Sequence, residues 1–264
     1  MKIAILGAGH MGTWLAGALA GNNHSICIYD VDHTQTEKIK TAAVLEKISE
    51  LSDFHPDILI NAVSLQNTIN AFRTAEPYIP AECRLADMAS VKSGIAEYYQ
   101  SKKFRFVSVH PMFGPTFANV ERLADENVII ISESDQTGAR FFRNFFGKMG
   151  LKVFSYSFDE HDRMIAYSLV LPFASTIVFA ACMNSSAVPG TTFKKHKEIA
   201  RGLLSEDDFL LTEILFSPYS IQQLEKVSTR LEFLKHVIKA KDIEEAHKFF
   251  QGLRENVSDS FFER

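Results

Sequence analysis

At the start of the chain, Lys2-Ile3-Ala4-Ile5-Leu6 runs directly into Gly7-Ala8-Gly9-His10-Met11-Gly12, and this segment is the most informative about the fold. The apolar run predicts a buried β-strand, and the pattern from Met11 to Gly21 predicts a helix. Between them, Gly7 permits a tight turn, Gly9 lets a pyrophosphate approach the backbone, and Gly12 allows the helix to pack closely on the strand. A strand, glycines at this spacing and a helix are together typical of the unit that binds dinucleotides.

An acidic residue, Asp30, follows the second predicted strand, Ser25–Tyr29. Its carboxylate is placed to accept hydrogen bonds from a ribose 2′-hydroxyl, and its charge would repel a 2′-phosphate. No arginine follows it, because the next residues are Val31-Asp32-His33. We therefore expect NAD as the cofactor, rather than NADP. The residues expected to bind it near these strand ends are Gly7, Gly9, His10 (through its backbone N–H), Met11, Gly12 and Asp30.

Strand-like and helix-like segments alternate from residue 2 to about residue 155. The predicted strands are short apolar runs, as in sheets that are covered on both faces, at Lys2–Leu6, Ser25–Tyr29, Ile58–Asn61, Arg84–Asp87, Arg105–Val109, Asn127–Ser132 and Lys152–Tyr156. The predicted helices between them are Met11–Gly21, Leu65–Ala75, Lys92–Ser101 and Gln136–Met149. This alternation predicts an α/β fold with a parallel, doubly wound sheet of the Rossmann type.

After Tyr156 the strand signals stop. Ser157-Phe158-Asp159-Glu160 is typical of a capping box and opens a long apolar helix. Further helices are predicted at Thr192–Leu204, Glu206–Phe216, Ile221–Ala240 and Ile243–Asn256. We therefore expect an NAD-binding Rossmann-like domain at 1–156 and an all-helical domain for substrate binding and dimerisation at 157–264.

The apolar segment from Met164 to Met183 is about long enough to span a bilayer. It contains Pro172 and several hydroxyl side chains, however, and it lacks basic flanks. Helices that are apolar all round also occur in the buried cores of soluble proteins. We expect no membrane span, and instead a homodimer in which this helix is buried against its copy.

The composition is that of a folded protein, with 264 residues, 46% of them hydrophobic and 23% charged. The net charge of −4 gives no basic footprint for nucleic acid. Cys27, Cys83 and Cys182 are scattered and lack the spacing of a metal site. The N-terminus has no secretory signal anatomy. These features lead us to expect a cytoplasmic protein with reduced thiols, no metal and no nucleic-acid partner.

Two further motifs follow neighbouring predicted strands. Asp87-Met88-Ala89-Ser90-Val91-Lys92 comes after the fourth strand, and His110-Pro111-Met112-Phe113-Gly114-Pro115 comes after the fifth. Ligands of open α/β sheets bind outside the carboxyl ends of the strands, and a neutral histidine can act there as a base. His110 is the candidate base, with a simple strand-end histidine as the alternative. Ser90 is expected to orient that imidazole or contact the nicotinamide, or else to cap a helix beginning at Val91.

The combination of motifs resembles the prephenate dehydrogenase family, which includes arogenate dehydrogenases. The resemblance runs through Gly7–Gly12, Asp87–Lys92, His110–Pro115, Glu160-His161-Asp162 and the segment from Ala200 to Asp207. It implies NAD-dependent oxidative decarboxylation of prephenate to 4-hydroxyphenylpyruvate, in tyrosine biosynthesis. Arogenate dehydrogenase or another β-hydroxyacid dehydrogenase is the alternative within enzymes. A cofactor-sensing protein without turnover is the alternative from another class.

The resemblance also implies roles for single residues. His110 would accept the substrate hydroxyl proton while Ser90 holds its ring, and Arg201 would bind a substrate carboxylate, although a solvent-facing arginine would also fit the pattern. Lys194, in a basic cluster, is expected to attract the anionic substrate, or else to belong to a solvated face. His161 is interpreted as structural. In the family many members have a histidine where this chain has Phe173, so recognition of the substrate's side chain is left open.

Overall fold

The computed structural model of the chain describes residues 1–21, 24–92, 94–113, 123, 126–184 and 188–258. Its eight strands are β1 Lys2–Leu6, β2 Ser25–Tyr29, β3 Ala43–Val44, β4 Ile58–Asn61, β5 Arg84–Asp87, β6 Phe106–Pro111, β7 Asn127–Ile131 and β8 Lys152–Tyr156. They form one sheet in the order β3-β2-β1-β4-β5-β6-β7-β8. The crossover order confirms the predicted Rossmann-type α/β fold.

Eleven α-helices complete the described part of the chain. They are α1 His10–Ala20, α2 Leu51–Phe54, α3 Thr68–Ala75, α4 Ile95–Gln100, α5 Gln136–Lys148, α6 Phe158–Ile165, α7 Leu171–Ala181, α8 Thr191–Leu203, α9 Asp208–Leu215, α10 Ser220–Ala240 and α11 Ile243–Asn256. A π-helical turn, Ala166–Val170, joins α6 to α7. The capping box predicted for α6 is confirmed, because the Glu160 carboxylate accepts from the Ser157 N–H and the Ser157 hydroxyl accepts from the Glu160 N–H.

Successive residues of β1 pack into opposite faces of the sheet. Ile3 and Ile5 belong to a buried cluster that includes residues of α1 and α5. Ala4 and Leu6 belong to a second cluster that includes residues of α3 and α4. Fully burying each large apolar side chain contributes roughly 1.5–3 kcal/mol. The sheet is therefore covered on both faces, which explains why its strands are apolar runs without strict alternation.

Three details differ from the prediction. The pair β6–β7 is antiparallel, whereas a wholly parallel sheet was expected. No helix was predicted between these strands, and an antiparallel pair needs no crossover helix. The two-residue strand β3 was not predicted. Helix α4 begins at Ile95, not at Lys92, because Gly94 at its N-cap adopts the left-handed conformation, with φ of +70°.

The structure divides into two compact units. The first comprises Met1–Ile165 and Glu206–Ser217, and the second comprises Ala166–Ser205 and Pro218–Arg264. The first unit thus includes α6 and α9, which lie beyond the boundary expected at residue 156. Within the second unit, α7, α8, α10 and α11 are the described α-helices.

The segment Phe158–Ala181 is long and apolar enough to cross a membrane by length and composition, and 22% of its most apolar window is buried. Among its side chains, Tyr167 is 52% exposed and Val178 is 49% exposed. Core helices of soluble proteins also meet this criterion. The single chain thus leaves much of this apolar surface uncovered.

Candidate active site

The turn after β1 requires glycine at two positions. Gly7 has a φ of +92°, and a Cβ added there would lie 2.9 Å from the backbone of Ala62 and Val63. A Cβ added at Gly12 would lie 1.9 Å from the Gly7 carbonyl oxygen. Larger residues at either position would therefore force the turn apart from β4 or from the first turn of α1.

Gly9 is the N-cap of α1 and differs from these two glycines, because a Cβ added there would meet no atom within 4 Å. The space above the start of the helix is therefore open. Helix N-termini bind phosphates through their unpaired N–H groups and the helix dipole. Gly7 and Gly9 line a cavity of about 450 Å³, together with Tyr29, Asp30 and residues after β4. This arrangement fits the phosphates of a dinucleotide.

Asp30 lies on the same cavity and is held by two backbone groups. Its Oδ2 accepts from the Ala8 N–H at 2.6 Å, and its Oδ1 accepts from the Asp32 N–H at 2.9 Å. These bonds fix the carboxylate beside the glycine-rich turn. His10 and Met11 are the first two residues of α1, and the Met11 side chain packs on the buried core.

A buried polar network joins the ends of β5 and β6. Lys92 Nζ lies 2.5 Å from Asp87 Oδ1 and donates to the Val109 carbonyl at 2.9 Å. Tyr99 donates its hydroxyl proton to Asp87 Oδ2 at 2.9 Å. Burial lowers the pKa of Lys92, although Asp87 opposes that shift, and burial raises the pKa of Tyr99 well above its usual value. The sequence pattern assigned no role to Asp87 or Lys92, yet they connect the two predicted motifs.

Ser90 is half-buried and lines a cavity of about 220 Å³ with Met88, Val63 and Ser64. Val63 and Ser64 line the cavity at the glycine-rich turn as well. The interpretation of Ser90 as an N-cap is wrong, since α4 begins at Ile95 with Gly94 as its N-cap. Ser90 is thus free to face a ligand from its loop.

His110 lies near the end of β6 and is 5% exposed. Its Nδ1 is 3.0 Å from Nε2 of His161, which lies on α6 and is wholly buried. The other ring nitrogen of His161, Nδ1, is 3.0 Å from Asp162 Oδ1. Among the described residues, the ring contact of His110 is therefore with His161, whereas Ser90 was expected to hold it. The sequence signal for this contact was the Glu160-His161-Asp162 segment.

The environment keeps both imidazoles neutral. Burial lowers the pKa of His110 well below its usual value, and the proximity of His161 and Lys92 lowers it further. Burial also lowers the pKa of His161, while the hydrogen bond to Asp162 opposes the shift. A neutral imidazole has one nitrogen with a free lone pair. His110 can therefore accept a proton at neutral pH.

The remaining predicted residues lie elsewhere or outside the described part. Arg201 and Lys194 are exposed on α8 of the second unit, where Arg201 Nη1 pairs with Glu198 Oε2 at 2.8 Å. Phe173 is half-buried on α7. Gly114 and Pro115, the end of the His110 motif, lie outside the described residues.

The chain belongs to the prephenate dehydrogenase family, since residues 15–154 match the family model described as prephenate dehydrogenase, nucleotide-binding domain. The matched range includes Asp30, Ser90 and His110. The confirmed family is the one that the sequence motifs resemble.

Among curated relatives, Arogenate dehydrogenase 2, chloroplastic, of Arabidopsis thaliana is 24% identical over 89% of this chain and 69% of its own length. The curated relatives that match are longer, and the chain spans between 39% and 69% of their lengths.

Two solved structures have the same fold. Prephenate dehydrogenase from A. aeolicus, in complex with hydroxyphenyl propionate and NAD+, has a TM-score of 0.83 at 18% identity, over 97% of this chain and 96% of that one. Arogenate dehydrogenase from Synechocystis has a TM-score of 0.75 at 19% identity, over 97% and 98% of the two chains.

Proposed function

We propose that the protein is an NAD-dependent dehydrogenase that converts prephenate to 4-hydroxyphenylpyruvate by oxidative decarboxylation, in tyrosine biosynthesis. The observation that carries the proposal is the neutral, buried His110 at the end of β6, with Nδ1 bonded to His161. A base in this place is needed for oxidation of an alcohol and has no use in a protein that only senses a cofactor. Membership of the prephenate dehydrogenase family supports the same reaction.

The glycine-rich turn supports NAD as the cofactor. Gly7, Gly9 and Gly12, with the backbone of His10 and Met11, would hold the pyrophosphate at the start of α1. Asp30 would bind the ribose hydroxyls, and Ser90 would contact the nicotinamide end. When bound, NAD accepts a hydride. The open space at Gly9 and the fixed carboxylate of Asp30 support this fit.

The chain's own residues would manage the proton of the reaction. As the C4–H bond of the substrate breaks with loss of hydride, His110 takes the proton of the C4 hydroxyl. The bond between the ring and its carboxylate then breaks, CO2 leaves, and the electron pair aromatises the ring. His110 returns the proton to the C4 oxygen, which completes the phenol. The base therefore ends the cycle neutral, as it began.

Substrate binding is proposed for Arg201 from the family resemblance, and for Lys194 because it lies in a basic cluster that would attract an anionic substrate. An arginine can bind a carboxylate through two parallel hydrogen bonds, and a lysine supplies a point charge. In this chain the Arg201 side chain is 66% exposed, and its guanidinium pairs with Glu198. Arogenate is the alternative substrate, and the name of the Arabidopsis relative supports it. Phe173 does not discriminate between prephenate and arogenate.

We also propose a homodimer in the cytoplasm. The exposed apolar side chains of the Phe158–Ala181 segment would be covered by a second copy, in a two-fold interface. The thiols of Cys27 and Cys83 are free and buried, which is compatible with a reducing compartment. Sedimentation at micromolar concentration tests the dimer, and a monomer of 29.7 kDa would contradict it.

Absorbance of NADH, followed with prephenate, arogenate and small hydroxyacids, tests the activity. Turnover of prephenate above the others is the expected result. Faster turnover of arogenate would assign the rival substrate, and turnover of a hydroxyacid alone would assign another reaction of the superfamily. Binding of NAD without turnover of any of them would favour the sensing protein.

A further inference from the structure

Three side chains form a continuous chain of hydrogen bonds that begins at the surface and ends at the base. Asp162 is partly exposed, and its Oδ1 is 3.0 Å from Nδ1 of His161. Nε2 of His161 is 3.0 Å from Nδ1 of His110. His161 bridges the two groups while itself wholly buried.

The Asp162 carboxylate determines which atom is the donor in each of these two hydrogen bonds. An ionised carboxylate only accepts hydrogen bonds, so the proton between Asp162 and His161 belongs to Nδ1 of His161. In a neutral His161 the Nε2 atom then has a free lone pair and accepts. The proton between the two histidines therefore belongs to Nδ1 of His110. Since His110 is neutral as well, its Nε2 atom is left with a free lone pair.

We infer that Asp162 and His161 are positioning residues, which hold His110 in the tautomer whose Nε2 can accept the substrate proton. The inference rests on the proposed function in that it assigns His110 the role of base. His161 and Asp162 touch neither substrate nor cofactor in this assignment. They act by deciding which nitrogen of His110 carries the proton.

The surrounding charged groups leave this assignment intact. Lys92 has its own acceptors, Asp87 Oδ1 and the Val109 carbonyl, and Asp87 Oδ2 is bonded to Tyr99. Within the described part of the chain, these groups therefore form hydrogen bonds with one another and not with the two histidine rings. With the opposite tautomers, the lone pair of His161 Nδ1 would face the Asp162 carboxylate, and this part-buried hydrogen bond would be lost.

A structural role for His161 would predict something different. If His161 only filled space, the tautomer of His110 would not depend on Asp162. The nitrogen that carries the proton is therefore the quantity to measure. It can be observed in the protein without substrate or cofactor, so the result does not depend on turnover.

The first test is NMR of the whole protein with ¹⁵N-labelled histidine rings, at about pH 8, where imidazoles are neutral. The chain has nine histidines, and loss of one signal set in His110→Asn assigns His110. We expect the proton on Nδ1 of His110, and a shift toward the Nε2-protonated form in Asp162→Asn. A proton on Nε2 in the unaltered protein, or no change in Asp162→Asn, would overturn the inference.

The second test is kinetic and uses a matched control on the same helix. Asp162→Asn should lower kcat by about 10- to 100-fold, by analogy with the partners that orient metal-binding histidines, and leave the KM for NAD unchanged. Asp159→Asn removes an exposed carboxylate of α6 that pairs with Arg163, and it should leave kcat unchanged. Equal kcat values in the two variants would contradict the inference.

A double variant separates this role from a folding defect. In His161→Gln the link between Asp162 and His110 is broken, so adding Asp162→Asn should lower kcat no further. Additive losses of kcat would overturn the inference. Circular dichroism checks that His161→Gln and the double variant fold. The expected tautomer without turnover of any substrate would refute the proposed function alone. Turnover with the opposite tautomer would refute this inference alone.

Discussion

The glycine-rich turn after β1 and the His110–His161 pair are two parts of the candidate site that are built differently. The turn is made of backbone, and its glycines lie close together in the sequence. A Cβ at Gly12 would meet the carbonyl oxygen of Gly7, and a Cβ at Gly7 would meet the backbone of Ala62 and Val63 after β4. The pair is made of buried side chains that are 51 residues apart in the chain. The turn is therefore recognisable as a short pattern, whereas the pair exists only when β6 and α6 are packed together.

The two parts should therefore respond differently to substitution. Changes in the turn should alter folding or cofactor affinity according to the space at each glycine. Changes in the pair should alter the chemical step while leaving cofactor binding in place. Four sets of substitutions, in order of decreasing effect, test the site and this division.

His110→Asn should lower kcat by about 10²–10⁴-fold with little change in KM, because general base catalysis is worth that much. The kcat of the unaltered protein should fall as acid protonates His110. Since the pKa of His110 is lowered by burial, this fall should lie below the usual histidine range, and kcat should be flat above it. Stopped-flow or steady-state rates across pH measure both effects. A pH limb that persists in His110→Asn would assign the base to another group.

Arg201→Gln should raise the KM for substrate by roughly 30- to 150-fold, since a charge-assisted bond contributes about 2–3 kcal/mol. The Arg230→Gln variant, which also removes an exposed arginine of the second unit, is the matched control and should behave as the unaltered protein. An unchanged KM in Arg201→Gln would mean that the resemblance has misplaced the carboxylate-binding residue. Lys194→Gln should have a smaller effect of the same sign, and one that weakens with added salt.

Gly12→Ala and Gly9→Ala form a pair that separates folding from binding. The new Cβ at position 12 would lie 1.9 Å from a backbone oxygen, so the free energy of unfolding should fall by about 1–3 kcal/mol or more. The new Cβ at position 9 meets no protein atom, so stability should change by less than about 0.5 kcal/mol. Affinity for NAD should nevertheless fall in Gly9→Ala, because that space is assigned to the pyrophosphate. Urea unfolding and calorimetric titration measure the two quantities, and unchanged affinity would place the cofactor elsewhere.

Asp30→Ala should reduce the preference for NAD over NADP by about tenfold, equivalent to about 1.4 kcal/mol, because repulsion of the 2′-phosphate is removed. Asp32→Asn is the control, since Asp32 is a neighbouring acidic residue whose Oδ1 accepts from the Thr34 N–H. Fluorescence titration with both cofactors measures the preference. If the unaltered protein binds both equally, the role assigned to Asp30 is wrong.

Much of the first unit follows from local pattern. The bounds of β1, β2, β4, β5 and β8 are as predicted, and most of these strands are short apolar runs. The strand β3 has two residues, Ala43 and Val44, which are too few for any periodicity. Its position comes instead from pairing with Cys27 and Ile28 of β2.

The observed boundary between the two units also differs from the predicted one. Residues 206–217 contain a helix that the pattern predicts correctly, but they belong to the first unit. An amphipathic pattern predicts which face of a helix is buried, but it does not predict which other part of the protein covers that face. The boundary expected from the last strand signal therefore could not anticipate this segment.

The sequence alone determined the Rossmann-type fold, the glycine-rich turn, the acidic residue after β2 and the family, because these depend on neighbours along the chain. The tertiary structure alone decided that the ring partner of His110 is His161, that Lys92 is buried against Asp87, and that β7 runs antiparallel to β6. Each of these features depends on which elements pack against one another, and no periodicity in the sequence encodes that packing.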